Sequence, residues 1–269
     1  RAIDGFQGPR DIFRNPLAIY CFNEPCKSGM SPFDLELGES GNAFAIHAMH
    51  FKLGLYEHQS AAAIQSVIEI IEKNPSLAED IKNIQTINVA IYEPAFSIIA
   101  DPAKRTPHTR QSADHSLPFI LATVLQKAAR MGATVRKNFG WSQGMLLPED
   151  YSEAALADVA VHAMMQKINI VHGGPEYDRL YPEGLPTRVS ITHSRLGKLD
   201  SDRILFPLGH AHSDLEKTRT LVDEKFQRLI AGAVESPQFI QRHLCLTNAS
   251  PDHVAKLYSF RLVVSGKNI

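Results

Sequence analysis

Ile84-Gln85-Thr86-Ile87-Asn88-Val89-Ala90-Ile91-Tyr92 is the stretch on which the reading of the fold turns. Ile87, Val89 and Ile91 alternate with Asn88, Ala90 and Tyr92, the period of two that a half-buried strand requires because successive side chains point to opposite faces. Just before it, Gln59 to Lys73 sets Ala63, Ile64, Val67, Ile68 and Ile71 on one stripe with the 3.6 period of an amphipathic helix, and Asn74-Pro75 stops that helix. The hydrophobic period therefore switches from helix to strand at residue 84.

Further along, the two periods mix. A polar loop from Asp101 to Gln111 leads to a helix predicted over Leu117 to Arg130, with Ser112 or Ser116 as N-cap, Pro118 in the first turn and Gly132 past its end. Met131 to Glu149 reads as an irregular connection. Ser152 is expected to cap one helix whose Leu156, Val159, Ala160, Ala163 and Met164 form a continuous apolar face, and Ile168 to Val171 reads as a short strand. Thr187 to His193 alternates cleanly before a turn at Leu196-Gly197, which predicts a hairpin whose second strand ends near Phe206. The helical period then returns. Ser213 and Glu216 have the spacing of a capping box, and Val222, Phe226, Leu229, Ile230 and Ala233 line one face. Ser236-Pro237 and Ser250-Pro251 each place a cap before a proline and predict two more short helices. In the opening forty residues Gly5, Gly8, Pro9, Pro16, Pro25, Gly29 and Pro32 permit only short helices and loops. The expected fold is mixed α and β: a mainly helical domain, residues 1–83 and 213–269, interrupted by an α+β lid domain, residues 84–212, with a ligand cleft between them.

Composition narrows the class of function. The chain has 269 residues, 44% hydrophobic and 21% charged, which matches a packed globular protein rather than a disordered one. Lys plus Arg number 28 against 29 Asp plus Glu, so there is no basic excess to neutralise a nucleic-acid backbone. Cys21, Cys26 and Cys245 are too few and too scattered for a disulfide framework, and Cys21 with Cys26 does not make an iron-sulfur motif. A reducing compartment is expected. No apolar run approaches the length of a membrane span. The chain opens on Arg1 rather than a methionine, so a targeting segment is not legible here.

Three groups of residues could carry chemistry. Arg110-Gln111-Ser112-Ala113-Asp114-His115-Ser116 puts a cation, an acid, an imidazole and two hydroxyls at a helix start, where free N–H groups favour an anion such as a carboxylate; the same residues also make an ordinary cap. Lys52 and His58 flank Leu53 to Glu57, one suited to holding a carboxylate and the other to moving a proton near neutral pH. His210 and His212, like His47 and His50, resemble half of a metal site, but neither pair brings the third ligand that zinc requires, so no metal and no other cofactor is expected.

Read together, Gly8-Pro9-Arg10-Asp11-Ile12-Phe13, Phe51-Lys52-Leu53 with Glu57-His58-Gln59-Ser60-Ala61, and Thr109 through Phe119 resemble the MmgE/PrpD family of 2-methylcitrate dehydratases. Tyr181-Pro182-Glu183, the strand Arg188 to Thr192, Gly209-His210 and Glu224-Lys225-Phe226 agree in order. In this sequence Lys52 is followed by Leu53-Gly54-Leu55-Tyr56, where the family usually has an aromatic-proline pair before its histidine. The resemblance implies a metal-independent hydro-lyase of propionate metabolism, acting on a tricarboxylate such as 2-methylcitrate or citrate. Relatives of the same fold decarboxylate cis-aconitate, and a paralogue without turnover, kept as a structural subunit, is the third reading. Family members carry a further N-terminal helical region with additional site residues, so this sequence is expected to hold half of a site and to assemble as a homodimer or larger complex. The resemblance places such a protein in the mitochondrial matrix of a eukaryote or the cytoplasm of a bacterium. Transferred to these residues, it makes His115, His58 and Asp114 catalytic candidates, and Lys52, Arg110, Ser112 and His210 substrate-binding candidates.

Overall fold

The computed structural model describes residues 44–235 without a break, residues 249–256 and 261, and the isolated positions 5, 8, 15, 26, 30, 33, 38 and 41. The helix expected at Ser236-Pro237, and nearly all of the loops and short helices expected in the first forty residues, lie outside the described residues. The chain divides into two units, residues 1–49 and 50–269. Within the first, Ala45–Ala48 form a single 3-10 turn.

The second unit contains a four-stranded mixed sheet in the order β2-β1-β3-β4, built from β1 (Ile84–Ile91), β2 (Ile168–His172), β3 (Thr187–His193) and β4 (Gly197–Asp200). Its helices include α1 (Ala61–Lys73), α2 (Glu93–Ile99), α3 (Arg110–Ala113), α4 (Leu117–Arg130), α5 (Glu153–Leu156), α6 (Val159–Met165), α7 (Leu215–Ala231) and α8 (Pro251–Ala255). β1 pairs parallel with β2 and antiparallel with β3, so Val89 faces Ile170 on one side and Val189 on the other. The inward set Ile87, Val89, Ile91, Ile168, Val189 and Ile191 is fully buried, as the alternation at residue 84 requires.

α1 lies on β3 and α4, and its Ile64, Val67, Ile68 and Ile71 join the same core as the sheet. Burial of each such side chain stabilises the fold by about 1.5–3 kcal/mol. α4 is apolar nearly all round, the pattern of a helix with no solvent face over its first turns, and Ser116 starts it by accepting the Phe119 N–H on its hydroxyl. Lys127, on the last turn of α4, reaches Asp150 at 2.5 Å and the Met145 carbonyl at 2.8 Å, which ties the irregular 131–149 connection to the core.

Four local expectations give way to tertiary structure. The single helix after Ser152 is two short ones: Ser152 caps α5, and Asp158 then accepts the Ala160 N–H and starts α6 afresh, leaving Val159 exposed. β4 stops at Asp200 rather than near Phe206: Ser201 still bonds Val189 of β3, and the chain then bends and meets β3 again in a bridge between Ile204 and Thr187. Asp214, not Ser213, caps α7 by accepting the Lys217 N–H, because the Ser213 hydroxyl is spent on the His210 carbonyl. On α7 the expected apolar face is only partly covered, with Ile230 buried and Val222 and Phe226 half-buried.

Candidate functional site

The segment 50–60, ahead of α1, is held by N–H groups at alternate positions, three of them bonded to distant loops and one within the segment itself. Phe51 donates to the Gly209 carbonyl at 2.7 Å, Leu53 to the Tyr56 hydroxyl at 2.9 Å, Leu55 to the Leu146 carbonyl at 2.9 Å and Glu57 to the Asp114 carbonyl at 2.7 Å. The Tyr151 hydroxyl donates to the Leu55 carbonyl, and Lys225 of α7 donates to the Lys52 carbonyl at 2.7 Å. One irregular strand thus collects the loop before α7, the 145–147 loop and the loop before α4. Gly209 makes the first of these junctions possible. Its φ of +94° suits glycine, and a Cβ there would sit 2.1 Å from the Phe51 carbonyl oxygen.

Lys52 and Arg110 are exposed cations, and His115 is an exposed imidazole whose Nδ1 lies 2.5 Å from Asp114 Oδ1. Asp114 therefore orients the imidazole, while Ser116 does the capping of α4. Ser112 is committed elsewhere: its hydroxyl accepts the His108 and Thr109 N–H groups and donates to the Thr109 carbonyl, as half of the cap on α3. Arg110 and Asp114 both lie within electrostatic reach of the Tyr151 phenol, and burial pushes the ionisation of that phenol well upward.

Glu57 sits at the centre. Burial raises its carboxyl above the usual carboxylate range, and the charges of His115 and Lys52 act in the opposite sense. Its neighbour His58 is pushed down to about 4, first by burial, then by His50 and Lys52. Lys52, Glu57, His58, His115 and Asp114 are thereby brought to one locality from two distant stretches of chain.

His58, His50 and His210 form a stack, with ring centroids 5.3 Å apart for the first pair and 3.9 Å for the second, and His212 meets His210 at 5.4 Å. Burial is the main cause that holds His50 low and takes His210 to about 4, so the stack is neutral at neutral pH. The Ala211 N–H donates to His50 Nδ1 and the His212 N–H to His210 Nδ1, which leaves the proton of each neutral ring on Nε2. His210 is buried, with Nε2 lacking good hydrogen-bond geometry to any partner and facing the Glu183 backbone. Among the described residues no group of three or more His, Cys, Asp or Glu side chains is arranged to hold a metal ion, and no helix is long and apolar enough to cross a membrane.

The sequence reading assigns no role to Glu57, His50 or Lys225. Glu57 accepts the Gln59 N–H at 2.8 Å and so caps the 3-10 turn His58–Ser60 ahead of α1. The available signal was its position between Lys52 and His58, five and one residues away.

The scaffold carrying these residues is a mixed α/β fold with helices packed on a four-stranded sheet. The MmgE/PrpD C-terminal domain matches this chain over residues 56–137 and 140–247, most of its length, and the chain belongs to the MmgE/PrpD family, which is of lyase type. The matched range takes in His58, Arg110, Asp114, His115 and the 206–213 loop. No curated protein matches the chain significantly.

Proposed function

We propose that this protein eliminates water from a hydroxy-tricarboxylate of the 2-methylcitrate or citrate class. The observation that carries the reading is the convergence on segment 50–60: Lys52 lies in electrostatic reach of both Glu57 and His58, and Glu57 in reach of His115. Lys52 and Arg110 hold substrate carboxylates as point charge and fork. His115, oriented by Asp114, and the neutral His58 are the proton-transfer groups. His210 supports His58 through the stack, and Ser112 acts by shaping the loop that carries Arg110.

In this reading residues 84–212 are the α+β part and residues 1–83 and 213–269 the helical part, a division that the double change of hydrophobic period supports; α1 nonetheless shares one core with the sheet. A homodimer or larger assembly would cover the half-buried Val222 and Phe226. The resemblance to propionate-metabolising enzymes supports the mitochondrial matrix or bacterial cytoplasm as the setting.

The test is incubation with 2-methylcitrate, citrate and cis-aconitate, following absorbance of the conjugated alkene and release of carbon dioxide. Alkene formed from a hydroxy acid without carbon dioxide supports the proposal. Carbon dioxide from cis-aconitate alone would replace it with decarboxylation, and no turnover on any of the three would leave the structural-subunit reading.

A further inference from the structure

We propose that Glu57 is the catalytic acid that protonates the departing hydroxyl. The inference deepens the elimination proposed above and rests on it. An elimination needs a group that gives a proton as well as one that takes it. At neutral pH the stacked histidines are without a proton to spare, since burial and mutual proximity keep them neutral.

Glu57 stands where a donor is needed. Its backbone N–H is fixed to Asp114 at 2.7 Å, which sets residue 57 beside the oriented His115, and its cap to Gln59 occupies Oε2. The titratable groups that face it are Lys52 and Tyr56 on its own segment, His115 from the loop before α4, and Tyr92 at the end of β1. Burial favours the neutral, proton-bearing form of its carboxyl, opposite in sense to the effect of burial on His58 next to it. Environments that push two neighbouring groups apart in this way separate an acid from a base.

A second observation points to a ligand at the same place. Gln59 Oε1, Ser60 Oγ and Tyr92 Oη are buried without a hydrogen-bond partner, and Ser60 and Tyr92 are wholly buried. Gln59 and Ser60 follow Glu57 directly, and the Tyr92 phenol is within electrostatic reach of its carboxyl. Unpaired polar groups of this kind are costly in a folded protein. Two of them at the start of α1, with the Tyr92 phenol from the end of β1 within reach of the same carboxyl, suit a ligand rich in hydroxyl and carboxylate oxygens.

The step balances. A base removes the carbon-bound proton, the C–H electron pair becomes the new C=C bond, and the C–O bond breaks. The departing oxygen takes the Glu57 proton and leaves as water, while the Lys52 ammonium stabilises the carboxylate left behind. Solvent then returns one proton to Glu57 and removes one from the base.

Glu57→Gln keeps an oxygen for the Gln59 cap and removes the acid. In the full chain it should lower kcat by about 10²–10⁴-fold, the usual worth of general acid catalysis. KM should stay within about threefold, the basic limb of the pH–rate profile should disappear, and the thermal midpoint should hold. Wild-type kcat in this variant would overturn the inference and leave the elimination reading standing, whereas a wild-type protein that dehydrates no hydroxy-tricarboxylate would overturn both. If the glutamine variant does not fold, the wild-type basic limb decides the matter through its temperature dependence. A carboxyl has a heat of ionisation near zero, so a limb that moves with temperature as an imidazole or ammonium does would overturn the assignment.

Discussion

The Glu57 backbone N–H donates to the Asp114 carbonyl at 2.7 Å, across fifty-seven positions of sequence. That bond joins the residue before His58 to the residue before His115, so the two imidazoles read separately in the sequence belong to one locality. It also carries the Glu57 carboxyl to the His115 side of the site, where the electrostatics of both groups are linked.

Substitutions around that junction should separate binding from chemistry. Arg110→Ala removes an exposed cation and should raise KM with a smaller effect on kcat, because a carboxylate clamp acts on bound substrate and transition state alike. His115→Ala should lower kcat by about 10²-fold or more, as expected of a proton-transfer group. Ser112→Ala should instead cost about 1 kcal/mol of stability through the lost cap of α3, with affinity little changed. Steady-state kinetics beside denaturant titrations would read all three.

The histidine stack makes stability fall in acid. The folded-state values of His58 and His210, about 4, lie below the ordinary histidine value of 6.5, so the unfolded chain takes up protons first as pH falls. Stability is full above about 6.5 and declines as pH drops from there towards 4, by on the order of 1 kcal/mol per histidine after solvent screening. His58→Asn should flatten this decline in thermal melts between pH 7 and pH 4. An unchanged slope would remove the stack as its cause.

Gly209 should tolerate no side chain. Gly209→Ala asks for a left-handed backbone and sets a Cβ 2.1 Å from the Phe51 carbonyl oxygen, a backbone atom that cannot swing aside. We expect a loss of about 1–3 kcal/mol from strain alone. The 206–213 loop should also leave segment 50–60, with loss of the His50–His210 contact and of activity. Heteronuclear spectra would show shifts confined to those two segments.

Lys127 and Asp150 form a largely buried pair at 2.5 Å, their side chains 19% and 13% exposed. Lys127→Met should cost about 2–4 kcal/mol, because it strands the Asp150 carboxylate and frees the Met145 carbonyl. Asp150 also accepts the Leu147 N–H, so Asp150→Leu should be at least as costly. The two changes should sum to less than their separate effects in a double-mutant cycle.

Much of the local structure was legible in residue order. The alternation from Ile84 sets the strand, the stripe from Ala63 to Ile71 sets α1, and Ser116-Leu117-Pro118 starts α4, because each depends on side-chain period or on a cap within four residues. The contact between Asp114 and His115 was likewise readable, since adjacent residues ahead of a helix lie close together whatever the rest of the fold does. Where two candidates competed for one local role, tertiary contacts chose between them. Ser213 lost the α7 cap to Asp214 because His210 claimed its hydroxyl, and Asp158 broke a helix that the apolar spacing had continued. The company kept by Lys52, Glu57 and the histidine stack was decided only by the fold. Burial, the approach of Gly209 to Phe51 and the Glu57–Asp114 bond join stretches 50 to 160 residues apart, and a pKa responds to desolvation and neighbouring charge that no local pattern of residues encodes.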